Sequence, residues 1–187
     1  EGLSISGTLS VTDLDLSDTV SFETTQVAIE ATNEEVLEWL PSEEELIAMM
    51  TTDPVAGLDA TPGDVHNLTW NFNSNTQAFN YLAVGETLTL TYTITATDSS
   101  LDAASTSQEV TILITGTNDV PVISTAGEED AFTATIEEEN AGLQTAGTIT
   151  IEDLDLSDVV ALTVDPTVQI SAPEGVLLVL PSNDVLF

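Results

Sequence analysis

Asp13, Asp15 and Asp18 lie in the run Asp-Leu-Asp-Leu-Ser-Asp, and the same six residues return with Asp153, Asp155 and Asp158. Side chains alternate along extended backbone, so carboxylates two residues apart at a strand end can face one side while Leu14 and Leu16 turn towards apolar neighbours. At about 5–6 Å such carboxylates repel by roughly 3 kcal/mol at an effective dielectric near 20, and by less where water screens them. A cation turns that cost into a gain. The chain has 33 Asp and Glu with no Lys or Arg, so the cation must come from outside. Calcium (Ca2+), a hard ion that accepts aspartate, asparagine and main-chain oxygens in a flexible loop, suits this donor set. The loop is not an EF-hand, for it lacks the glycine at the sixth position and the glutamate at the twelfth.

Further oxygen donors sit at Thr117-Asn118-Asp119-Val120-Pro121. Pro121 fixes its own φ and biases Val120 towards extended geometry, so a stiff link can hold Asn118 and Asp119 beside the next module. The plainer reading is a polar linker between strands. Asp98 opens another turn, Asp98-Ser99-Ser100, at the end of a long alternating run.

Catalysis is poorly provided for. The sole histidine, His66, lies beside Asp64 in a loop sequence, with no cysteine, no basic residue and no Ser-His-Asp spacing. A glycosidase needs two carboxylates across a cleft, and nothing singles out such a pair among so many acids. Trp70, Phe72, Phe79 and Tyr81 are candidates for a sugar-binding platform, although their alternation favours core burial. Asn67-Leu68-Thr69 fits a glycosylation sequon, which chance also produces.

The net charge of −33 excludes bare nucleic acid as a partner and disfavours an anionic membrane surface, because both need cationic side chains. A halophilic or merely soluble acidic surface is the plain alternative. Disorder is another, but 42% hydrophobic content in alternating runs argues against it. Without cysteine, disulfides and thiolate metal sites are unavailable. No stretch approaches the length of an apolar membrane span, and none has the basic start of a signal peptide.

The elements that must position these donors are mostly strands. Leu88, Leu90, Tyr92, Ile94 and Ala96 share one face of a run whose other face is threonine, and Val110, Ile112 and Ile114 give a second such strand. Leu9 with Val11, and Ile149 with Ile151, predict short strands feeding the two acidic turns. Trp70 and Phe72 share a face of another, before an Asn73-Ser74-Asn75 turn. Thr32 with Glu35 resembles a capping box and Ser42 with Glu45 is a better one, predicting short helices over roughly 33–39 and 43–50. Trp39, Leu40 and the methionines are expected to cap one open edge or end. The fold class is all-β, a sandwich with this helical insertion.

Gly7 to Asp18 is answered by Gly147 to Asp158, and Val36 to Ser42 by Val176 to Ser182, at a constant offset of 140 residues (147 − 7 and 176 − 36). Two units are therefore expected: residues 1–119, lacking a first strand, and residues 120–187, the truncated start of the next. Strand exchange across the join stays open.

Phe79 to Asp98, followed by Thr115-Gly-Thr-Asn-Asp-Val-Pro-Val-Ile123, closely resembles the VCBS repeats of giant bacterial surface adhesins, over most of residues 7–123 and the start of another unit. That resemblance implies tandem cadherin-like or immunoglobulin-like sandwiches, type I (RTX-type) secretion, and a role at the cell surface in attachment and biofilm formation. It also implies folding in external calcium, with adjacent repeats as partners. Asn118 and Asp119 match the cadherin-like linker, and Asp153 and Asp155 match the Asp-x-Asp of the following module. Asp98 matches only in pattern, and Asp13 and Asp15 map to a joint with a preceding unit. Gly116 departs from the pattern, because a cadherin linker carries an aspartate there. The expected function is a calcium-stabilised, non-catalytic extracellular spacer. The alternative is an adhesive module whose exposed aromatics take a surface glycan or protein receptor.

Overall fold

The computed structural model describes residues 2–124 and 132–165. Its regular structure is mostly strand: β1 (Ser4–Leu9), β2 (Val20–Ala31), β3 (Met50–Asp53), β4 (Leu68–Asn73), β5 (Thr87–Asp98), β6 (Ser105–Thr115), β7 (Val122–Ser124) and β8 (Thr150–Glu152). The described strands form antiparallel sheets ordered β1-β4-β3, β2-β5-β6 and β7-β8. The chain is all-β.

β5 is the central strand of its sheet and its alternation is realised in full. Leu88, Leu90, Tyr92 and Ile94 are buried, while the intervening threonines remain half-buried on the opposite face. Ile114, Ile112 and Val110 of β6 stand opposite Leu88, Leu90 and Tyr92, extending the same apolar face. On the other face Thr91 reaches Thr111 at 3.3 Å and Thr95 reaches Ser107 at 2.9 Å. These neutral hydroxyl pairs stabilise the sheet where opposed carboxylates would repel.

Strand β2 contains a bulge between Thr24 and Gln26. An extra residue shifts side-chain parity, so Phe22 before it and Val27, Ile29 and Ala31 after it all face the apolar side of β5. From the other sheet Met50 and Phe72 join the same core, and the Phe72 and Tyr92 rings meet at 6.1 Å with their planes tilted by 52°.

Between β2 and β3 lie a 3₁₀ helix, Glu34–Trp39, and α1, Glu43–Ala48. Ser42 and Glu45 form the expected capping box. The first helix is capped by Asn33, whose side chain accepts the Glu35 N–H, and not by Thr32. Val36, Leu46, Met49 and Met50 are buried, but Trp39 is 60% exposed and does not close the core as expected.

The join between the expected units runs from β6 through Gly116 to β7. A side chain at Gly116 would collide with the carbonyls of Leu82 and Ala83, while the Gly116 N–H donates to Glu86 O at 2.8 Å. A close main-chain contact thus excludes the aspartate of a cadherin linker at this position. Past the join β7 pairs with β8, and the expected counterpart at 176–182 lies outside the described residues.

Candidate cation site

Both acidic turns fold identically at the main chain. Asp13 Oδ1 accepts the Asp15 N–H at 2.9 Å, and Asp153 Oδ1 accepts the Asp155 N–H at 3.1 Å. Asp18 N–H donates to Asp15 O at 2.9 Å, and Asp158 N–H donates to Asp155 O at 3.1 Å. Aspartates two residues before a free N–H favour such turns. One oxygen of Asp13 and of Asp153 is therefore engaged locally.

The surroundings of the two turns differ. The second turn is seated beside the main core, where Leu156 N–H donates to Tyr81 O at 3.3 Å and the Leu156 side chain packs against that core. Asp155 is only 2% exposed, and its Oδ2 accepts the Asp119 N–H at 2.7 Å. Its Oδ1 is buried with no hydrogen-bond partner. A buried carboxylate oxygen without a partner is costly, and a bound ion is one of the few ways to compensate it.

In the link the exposed Asn118 donates its amide to Asp119 O; Asp119 in the link and Asp153 in the turn are partly buried. Asp158 is exposed at the far end of the turn. Among the described residues no three Asp, Glu or His side chains converge as a ready-made metal cage. The donor chemistry fits calcium through one buried carboxylate, with main-chain carbonyls and water needed to complete a shell of about six to eight oxygens.

In the first turn Asp15 is exposed and Asp13 and Asp18 are partly so. Leu14 and Leu16 are 85% and 76% exposed, so they do not turn towards apolar neighbours as expected. For Leu16 the physical reason is the lack of a surface equivalent to Tyr81 and the main core beside it among the described residues, whereas Leu14 is exposed as its counterpart Leu154 is, at 53%. Asp13, Asp15 and Asp98 line one open depression of about 350 Å³. Asp98 Oδ1 meanwhile accepts both Ser100 N–H at 3.1 Å and Ser100 Oγ–H at 2.6 Å, closing the β5-β6 turn.

The other singled-out residues have structural roles. Asn67 bonds both main-chain groups of Val11, each at 2.8 Å, so its amide is already engaged. His66 Nδ1 lies 2.9 Å from Thr8 Oγ1, and its N–H donates to Ser10 Oγ. Phe72, Phe79 and Tyr81 are buried, and Trp70 packs half-buried over Gly7, so these rings form no exposed platform. Burial raises the hydroxyl pKa values of Tyr81 and Tyr92.

The Tyr81 carbonyl and the Asp119 N–H, which seat the second turn, are not legible in the sequence. Both are main-chain groups, for which side-chain pattern carries no signal. No known protein family, curated protein or solved structure matches the chain.

Proposed function

We propose that the chain is a calcium-stabilised, non-catalytic spacer from an extracellular bacterial adhesin, built as cadherin-like sandwich units in tandem. The observation that carries this reading is the buried Oδ1 of Asp155, without a partner at the point where the second acidic turn meets the link after β6. Asp155 and Asp153 from the turn, with Asn118 and Asp119 from the link, would hold the ion. When bound, it would supply positive charge to carboxylates that the chain itself cannot neutralise, since it has no Lys or Arg. Ordered donors bind better than an unfolded chain, so binding would favour the folded, stiffened joint. Repetition suits a spacer, in which copies add length. The glycan-binding alternative has less support, because three of its four aromatic rings are buried.

The test is calorimetric melting of the chain in chelator and in millimolar calcium at constant ionic strength. A midpoint that rises with calcium, and a titration that resolves binding, support the reading. An unchanged midpoint sinks it.

A further inference from the structure

A groove of about 420 Å³ opens between the end of β1 and the outer strand β6, with Phe22, Leu68, Ile94 and Ala96 among its lining residues. We propose that it seats an extended segment of the Asp119–Ser124 type, added as a strand beside Ser10–Thr12.

The internal repeat supplies the template. Ser10, Val11 and Thr12 correspond at the 140-residue offset (150 − 10) to Thr150, Ile151 and Glu152, which form β8. There Val122, Ile123 and Ser124 pair antiparallel with Glu152, Ile151 and Thr150. No strand pairs with Ser10–Thr12 among the described residues.

The main chain of this segment is set to accept one. Asn67 holds both the N–H and the C=O of Val11, continuing the β4 side of the ladder past Leu9. Successive residues of an antiparallel strand direct their main-chain groups to opposite edges. Ser10 and Thr12 therefore address the open edge, and neither has a main-chain partner among the described residues.

The opposite wall shows the same deficit. The inward row Ile114, Ile112 and Val110 of β6 continues by register to Gln108 and Thr106, opposite Ile94 and Ala96. The first three are buried and the last two are exposed, so the apolar faces part where the groove begins.

Charge and floor together define the occupant. A chain of formal charge −33 repels a charged strand, whereas Val120 to Ser124 carries no charge and presents Val and Ile to an apolar floor. Pro121, which has no N–H, is tolerable at the start of an added edge strand. Such a segment would also bring its own Asp119 towards Asp15, as Asp119 stands to Asp155. The proposal rests on strand pairing and not on the calcium reading, and either can fail alone.

To test it, residues 117–124 are appended to the N-terminus of the 187-residue chain through a Gly-Ser linker. The return along β1 spans about 30 Å, for which a flexible linker of about 20–25 residues is adequate. Tethering raises the effective concentration into roughly the millimolar range. Controls carry a scrambled segment, or Val122→Asp and Ile123→Asp in the appended copy only, so the body of the protein is unaltered. Hydrogen exchange is read in calcium-containing buffer. The authentic segment is expected to slow exchange at Ser10 and Thr12 by about tenfold or more, with little effect from either control. Equal exchange in all three chains would overturn the proposal. So would a dimer of the unfused chain, found by sedimentation, that protects Ser10 and Thr12 equally well when it carries Val122→Asp and Ile123→Asp, because a surface other than this segment would then own the groove.

Discussion

Asp119 donates its main-chain N–H to Asp155 at 2.7 Å, joining the link after β6 to the second acidic turn. Asp15 occupies the corresponding place in the first turn, with the same local hydrogen bonds, and is exposed. One hexapeptide thus gives one local conformation and two electrostatic situations. Local sequence sets the turn; the neighbouring surface decides whether a carboxylate is left buried without a partner.

Asp155→Asn and Asp15→Asn should accordingly behave differently. In chelator, Asp155→Asn is expected to leave the melting midpoint unchanged or higher, since it removes a charged oxygen that lacks a partner. In millimolar calcium it should lose most of the gain shown by the parent chain. Asp15→Asn should stay within about 0.5 kcal/mol in either condition, as surface changes usually do. Melting at constant ionic strength checks both, and a full calcium response in Asp155→Asn would remove that residue from the site.

Strands with unbroken alternation were legible in the sequence. In β5 and β6 the buried positions are those the period of two selects, because each strand keeps one register along its length. β2 was not legible: its bulge moves the inward set from Phe22 to Val27 and Ile29, which breaks the period. β3 was hidden for another reason, since its four residues adjoin α1 and carry too little pattern. The acidic turns could be read as turns, but burial of Asp155 depends on the carbonyl of Tyr81, 75 residues earlier (156 − 81, counted from its partner Leu156). Contacts of that separation leave no trace in local spacing.

Gly116→Ala is expected to destabilise the chain by about 1–3 kcal/mol, the usual cost of forcing atoms into a filled space. The added methyl would meet the Leu82 and Ala83 carbonyls, beside the loop that seats Leu156. Gly142→Ala, where nothing lies within 4 Å, should be close to neutral. Denaturant unfolding of the two variants provides the comparison. Equal stability would mean that the tight passage at Gly116 relaxes at little cost.

Tyr92→Phe should be neutral or stabilising, by up to about 1 kcal/mol. Its hydroxyl is buried without a hydrogen-bond partner, so removal relieves a desolvation penalty and keeps the ring against Phe72. The raised Tyr92 pKa has the same origin, burial of the hydroxyl. Because the folded pKa exceeds the unfolded value near 10, the neutral-form contribution is complete below pH 10 and is lost as pH rises beyond it. Tyr92→Phe should therefore flatten the alkaline limb of the stability profile. A parallel limb in parent and variant would exclude Tyr92 as its source.

At the acidic end the informative group is Glu45. Ser42 holds its carboxylate through the hydroxyl at 2.8 Å and the N–H at 3.0 Å, and these bonds lower its pKa from 4.5. A depressed folded pKa means that the unfolded chain takes up the proton first as pH falls. The contribution of Glu45 is therefore complete above the unfolded value and disappears as pH drops through the folded one. Relief of the general negative charge opposes this over the same range, so total stability is a poor readout. The difference between parent and Glu45→Gln isolates the group: it should shrink from pH 6 to pH 3. Ser42→Ala should remove most of that pH dependence by deleting the hydroxyl partner. A difference independent of pH would show that the carboxylate gains nothing from the capping box.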